Sequence, residues 1–205
     1  MTTALSDAPH IAFLTGQSDP GRCALSPVQE QFLQRLRPGL APEIELCQQN
    51  FPWSDSEQPW RAVPLWRASL ANGWQYLAAR CGRVPLSAAS WLDQPRRTLL
   101  LVGSCGLLLL DQLLRARPQA TWAERLRVVC YGGVGPRWPV QVQGCNLLGE
   151  RDRMARFAGP SRRSMTGISC QTVPCGHLDY LTQADSLRAL EQAVYGYRHW
   201  LLTPP

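Results

Sequence analysis

The stretch Leu99-Leu-Leu-Val-Gly-Ser-Cys-Gly-Leu-Leu-Leu109 decides the fold. An apolar run, Leu99 to Val102, meets a turn of small residues, Gly103-Ser104-Cys105-Gly106. A second apolar run then leads into Asp111-Gln-Leu-Leu-Arg115, which has helical spacing. The pattern reads as strand, tight turn, helix. A nucleophile on such a turn stands off the end of a sheet, at a helix N-terminus. There the unpaired N–H groups and the helix dipole favour a thiolate or an oxyanion. A buried turn with an inert cysteine would carry the same residues, because free Cys is among the most buried residue types.

Outward from this stretch, strands alternate with helices. Ile11 to Leu14 is a short apolar strand, followed by the turn-rich loop Thr15 to Gly21. Ser26 caps a helix through Leu36 that has Pro27 at its first position and apolar residues at 28, 32, 33 and 36. Ile44 to Cys47 is a second strand, and Asn50 to Trp60 a loop. Pro64 to Arg80 is a helix with Leu65, Leu70, Trp74, Tyr76 and Leu77 as its apolar positions. Leu126 to Tyr131, an alternating Val140 to Gln143 that continues into Cys145 to Leu148, and Ile168 to Val173 are further strands. A long amphipathic helix, Tyr180 to Leu202, closes the chain. This order predicts a three-layer α/β sandwich, a mainly parallel sheet flanked by helices. About five residues, Pro136 to Val140, separate two late strands, which leaves no room for a helical cap domain there.

Composition bounds the function. With 205 residues the chain suits one domain, 1–205, with residues 1–10 as a flexible tail. No apolar run reaches the roughly 18 residues of a membrane span, and the N-terminus lacks the basic start of a signal peptide. A cytoplasmic protein with no membrane partner is the expectation. The eight cysteines, without an export signal, read as reduced thiols. Cys170, Cys175 and His177 form no paired half-sites, so no metal is expected. The charge of +6 comes entirely from scattered Arg, since the chain has no Lys. A basic face would suit an acidic substrate or an acidic carrier protein. No nucleic-acid motif and no phosphate-binding glycine loop is present, so neither a nucleic-acid partner nor a cofactor is expected. The eight Trp suit core packing, or the rim of an aromatic-lined cleft. Nothing in the sequence sets the oligomeric state.

In parallel sheets, ligands bind beyond the carboxyl ends of the strands. Three strand-following loops carry candidate chemistry: Gly103-Ser104-Cys105-Gly106, Gly149-Glu150-Arg151-Asp152 and Pro174-Cys175-Gly176-His177. Their order is nucleophile, acid, histidine. In this order, and in its strand–turn–helix elbow, the chain resembles the α/β-hydrolase fold from Ile11 to the final helix. The resemblance implies a small, cap-less member with a catalytic triad. The favoured register makes Cys105 the nucleophile, as in dienelactone-hydrolase-like enzymes and polyester synthases, although Leu107 then replaces the usual trailing glycine. In the other register Ser104 is the nucleophile and Gly106 the trailing glycine, but Val102 replaces the leading one. Asp152 matches the acid, with Glu150 as the weaker substitute, and His177 matches the terminal histidine. His10 falls in the tail and His199 on the final helix. The loop after Phe13-Leu14 resembles the family's oxyanion loop with Thr15 in place of His, which makes the N–H groups of Gln17 and Gly106 the implied donors.

The implied chemistry is acyl hydrolysis or acyl transfer. His177 takes the proton of the nucleophile and later returns it to the leaving group, while Asp152 holds its tautomer. A Cys105 thiolate would attack a thioester or activated ester and form an acyl-thioenzyme. A serine esterase using Ser104, or an inactive hydrolase-like binding subunit, are the alternatives. Asn50 to Trp60 and Gly132 to Trp138 are the expected walls of an open cleft.

Overall fold

The apolar runs of the inner strands become strands because both of their faces are covered, as parallel sheets require, while the two edge strands stay largely exposed. In the computed structural model, which describes residues 8–19, 21–51, 58–84, 95–116 and 122–203, the strands are β1 (His10–Leu14), β2 (Glu45–Phe51), β3 (Thr98–Gly103), β4 (Leu126–Tyr131), β5 (Gln143–Gly149) and β6 (Ser169–Val173). They form one six-stranded sheet in the order β2-β1-β3-β4-β5-β6, and each neighbouring pair is parallel. All carboxyl ends therefore lie along one edge. β1 and β3 are buried along their whole length.

The helices are α1 (Pro27–Leu36), α2 (Leu65–Arg80), α3 (Gly106–Ala116), α4 (Trp122–Arg125), α5 (Arg153–Ala158), α6 (Ala184–Gly196) and α7 (Arg198–Leu202). One core layer packs Phe32, Leu33 and Leu36 of α1 and Leu190 and Val194 of α6 on Ile11, Phe13, Leu99 and Leu101. On the other face Leu107, Leu110 and Leu113 of α3 cover Ala12, Leu100, Val102 and Val128. The result is the three-layer sandwich expected from the alternation of elements. Ser26 caps α1 with a reciprocal capping box to Gln29, a device worth about 1 kcal/mol.

Several local expectations change. His10 does not belong to a tail: it opens β1 and is 2% exposed. Residues 1–7 lie outside the described residues. Val140 and Gln141 are not strand, since Val140 is exposed and Gln141 adopts a φ of 65° that breaks an extended run. β5 starts only at Gln143, so residues 132–142 link β4 to β5, and they contain no helix. The closing helix is two helices with a junction at Tyr197, and Tyr180 precedes both. Of the expected cleft walls, Asn50 and Phe51 belong to β2, residues 52–57 lie outside the described residues, and Trp138 is buried, its indole N–H donating to the Val142 carbonyl at 2.8 Å.

Candidate active site

The turn between β3 and α3 is centred on Ser104, which holds a φ of 51°. A non-glycine residue in this region is uncommon and costs of order 1 kcal/mol or more. Two N–H groups clamp it by donating to the Ser104 carbonyl, Val134 at 2.8 Å and Leu107 at 3.4 Å. At Gly106, where α3 starts, a Cβ would stand 2.1 Å from the Leu14 carbonyl oxygen. Gly106 is therefore the residue that lets the helix approach β1, the part played by the trailing glycine of the elbow. Val102 is no obstacle to this register. It lies inside β3, where a β-branched side chain fits, and not in the turn.

The acid and the histidine come from the ends of β5 and β6. Asp152 follows β5 and caps α5, its Oδ1 accepting from the Ala155 N–H at 2.9 Å. Its Oδ2 accepts from His177 Nδ1 at 2.9 Å and from the Tyr180 hydroxyl at 3.0 Å. Burial alone would push this carboxyl up. The bonds from His177, Ala155 and Tyr180, with the His177 charge, outweigh burial and hold it below its ordinary value. With Nδ1–H on Asp152, Nε2 faces the Ser104 hydroxyl as acceptor, at 3.3 Å. Asp152 is fully buried, whereas the His177 side chain keeps 19% exposure. Glu150, the weaker acid candidate, is exposed.

Cys105 takes no part in this line. Its thiol points to Asn72 of α2, with Sγ 3.8 Å from Oδ1. Burial pushes that thiol up to about 11, so it stays protonated and weakly nucleophilic near neutral pH. The imidazole thus meets Ser104 and not Cys105, because the turn directs one side chain outward and the next one under the β1 loop.

In the loop after β1 the expected donor, the Gln17 N–H, is engaged elsewhere. The Gln17 N–H donates to Gln75 Oε1 at 2.7 Å, and Gln75 Nε2 returns a bond to the Gln17 carbonyl at 2.7 Å. That N–H is spent. The Thr15 N–H donates to Asn50 Oδ1 at 2.9 Å. The N–H groups of Gly16 and Cys105 make no hydrogen bond to another residue among the described residues. Gly16 sits against Cys105 and Asn72: a Cβ there would fall 2.6 Å from Cys105 Sγ and 1.7 Å from Asn72 Oδ1.

Three residues of this arrangement escape the sequence reading. Tyr180 is buried, accepts from the Gly149 N–H at 2.6 Å and donates to Asp152. Burial drives its hydroxyl far above the ordinary tyrosine value, so it remains a neutral donor. Asn72 and Gln75 lie on the inward face of α2. The one signal for them in the sequence is their spacing, three residues apart on the face that also holds Ala68 and Ala79.

Neither a family model nor a curated protein matches the sequence. Solved structures do match the fold. The chain aligns with a predicted CIB-like hydrolase from Thermoplasma acidophilum at a TM-score of 0.53 and 12% identity, over 95% of this chain and 88% of that one. It also aligns with the NocB thioesterase domain from the Nocardicin cluster at a TM-score of 0.46 and 13% identity, over 91% and 94%. The architecture is that of the α/β-hydrolase fold, and the likeness at these identities is one of fold.

Proposed function

We propose that the chain is a serine hydrolase of carboxylic esters or thioesters that works through an acyl-enzyme on Ser104. One observation carries this reading: the unbroken line from Ser104 Oγ through the His177 ring to Asp152, at 3.3 and 2.9 Å, on a turn held at positive φ. A buried, triply bonded carboxylate behind a half-open imidazole is costly to maintain for packing alone. That cost argues against an inactive binding subunit.

In the first step the Ser104 oxygen bonds to the substrate carbonyl carbon while its proton passes to His177 Nε2. The imidazolium that forms is stabilised by Asp152. The N–H groups of Cys105 and Gly16 are the proposed donors to the tetrahedral oxyanion, replacing the Gly106 and Gln17 pair; each such donor contributes roughly 3 kcal/mol. Collapse breaks the bond to the leaving alcohol or thiol, which takes the proton from His177. Water then attacks the acyl carbon as it passes a proton to His177, and His177 returns that proton to the Ser104 oxygen as the ester bond breaks and the acid leaves. An acyl-thioenzyme on Cys105 has no comparable support, since that thiol faces an amide and is held protonated.

The test is a fluorophosphonate probe, read by peptide mass spectrometry, beside turnover of a panel of p-nitrophenyl esters and acyl thioesters. A phosphonyl adduct on Ser104, absent in Ser104→Ala and retained in Cys105→Ala, is the expected result. An acyl adduct on Cys105, or turnover that survives Ser104→Ala and fails in Cys105→Ala, would overturn it.

A further inference from the structure

The helix beside the site is turned inside out. α2 directs Asn72, Gln75 and Ala79 inward, and of its residues Ala79 alone is buried. Tyr76 packs against the core, but the helix's other large apolar side chains are exposed: Leu65 is 64% exposed, Trp66 60%, Leu70 66%, Trp74 75% and Leu77 53%. On a wheel of 3.6 residues per turn, Gly73, Trp66, Leu77, Leu70 and Trp74 fill one arc of roughly 100°. Arg80 borders that arc on one side and Arg67 on the other. Arg61 and Arg83 stand at the two ends of the helix, and all four arginines are exposed. Among the described residues none of these arginines has an ion-pair partner. Residues 58–84 contain no Asp or Glu.

We infer that this outward face of α2 docks the protein on an anionic lipid surface. Helices that lie in a membrane interface carry an apolar arc with Trp and Leu, flanked by basic residues that meet the headgroups. Here the arc has the apolar side chains, and the four arginines, of which Arg67 stacks over the Trp66 ring at 5.1 Å, supply the complementary charge. A second copy of the chain would bring four arginines against four, a like-charge contact that opposes pairing. The only side-chain hydrogen-bonding groups within its arc are the indole N–H groups of Trp66 and Trp74, which suit the apolar-to-polar boundary of a lipid surface. A fluid lipid surface asks only for apolar depth and positive charge, whereas a protein partner needs matched shape and polar pairing. Among the described residues no helix is long and apolar enough to cross a membrane, and lying on a surface needs none. The inference stands on α2 alone and does not depend on the proposed reaction.

The test is sedimentation of the full chain with phosphatidylcholine vesicles, with and without phosphatidylglycerol, in low and high salt. The parent is expected to sediment with the phosphatidylglycerol vesicles, to shift its Trp emission to the blue, and to be released by salt. A Trp66→Ser/Trp74→Ser double variant should bind at least about tenfold more weakly, and Arg67→Glu/Arg80→Glu similarly, since each removes one of the two attractions. Circular dichroism and turnover of a water-soluble ester verify that both variants are folded. No cosedimentation of the parent with anionic vesicles overturns the inference, and so does equal binding by the double variant. A parent dimer in sedimentation velocity that the double variant loses would assign the face to a second copy instead. Retention of an acidic acyl carrier protein, with vesicles unbound, would assign it to a protein partner. Loss of ester turnover in every form, with vesicle binding intact, would sink the proposed reaction and leave this inference standing.

Discussion

Two arms meet at Ser104, and they are built in opposite ways. The arm that carries the proton in the proposed reaction, Asp152 and His177, is tied into the sheet. Asp152 is fully buried and accepts three hydrogen bonds, and Tyr180 fastens it to the end of β5 through Gly149. The proposed oxyanion arm, Thr15 to Gln17, is half-exposed and hangs on side-chain amides: Asn50 holds Thr15 and Gln75 holds Gln17. Behind it stands α2, which meets the core through Tyr76 and Ala79 and leaves its other large apolar side chains exposed, whereas its neighbour α3 hides Leu107, Leu108, Leu110, Leu113 and Leu114. One arm is set by the core. The other is set by a few polar contacts from a lightly anchored helix, and regions with few buried contacts open most easily. Damage to the first arm should abolish chemistry, and damage to the second should tune it.

The sharpest break is at the meeting point. Ser104→Ala and His177→Ala should each lower kcat by roughly 10⁴- to 10⁶-fold, and the double variant should lose little more, because residues of one relay act as a unit. Steady-state kinetics on a soluble ester measures this. Additive losses would mean that the two side chains do not act together.

Asp152→Asn should cost about 10³- to 10⁴-fold in kcat through the wrong tautomer. It should also change the acid limb of stability, and the sign follows from its depressed carboxyl. Below about pH 4 the unfolded chain binds a proton that the folded chain refuses, so stability falls as pH falls. His10 gives a second acid limb at higher pH: burial, with Arg96 beside it, lowers it from 6.5 to about 3. Stability should therefore decline from about pH 6.5 downward, by at most ~1.4 kcal/mol per pH unit from this one group. Denaturant unfolding across pH should show Asp152→Asn flattening the curve below about pH 4. An acid limb there unchanged from the parent would contradict the assignment.

The same contrast explains what the sequence reveals. Asp152 and His177 can be read because each follows a strand, and parallel strands bring their ends to one edge. Element order therefore places them without knowledge of any contact. The choice between Ser104 and Cys105 depends on which residue takes φ 51°, and two adjacent small polar side chains give no periodic signal for that. Val102 stands where the Ser104 register has its leading turn glycine, but it is strand, and one residue of register separates the proposed oxyanion donors Gly16 and Cys105 from the expected Gln17 and Gly106. For α2 the spacing reveals the helix and its apolar positions. It does not reveal that those positions, Tyr76 apart, are left exposed, because periodicity reports a face and not its direction. Tyr180 reads as the start of the last helix, and only the fold brings it under Asp152.

Gln75→Leu sharpens the comparison on the second arm. It releases both bonds to Gln17 while leaving α2 its apolar spacing. Loss of the clamp should let Gly16 drift from the position a donor needs and cost roughly 10- to 100-fold in kcat with little change in KM, because an oxyanion donor acts in the transition state. A boronate that mimics the tetrahedral intermediate should lose affinity by the same factor, and a ground-state ester analogue should not. Equal losses for both would mean that the loop binds substrate and does not stabilise the oxyanion.

Cys105→Ala should have the smallest effect and so tests the boundary between the arms. The thiol touches Asn72 and Gly16 but not His177. Its removal deletes one weak sulfur contact and leaves the Cys105 backbone N–H in place, and that N–H is all the proposed reaction takes from this residue. Turnover should stay within about threefold of the parent, and treatment with a thiol reagent should leave the parent active, since a buried thiol held near 11 reacts slowly. A loss approaching that of Ser104→Ala would return the sulfur to the chemistry. A loss equal to that of Gln75→Leu, with the same fall in boronate affinity, would instead make the Asn72 contact a second anchor of the oxyanion loop.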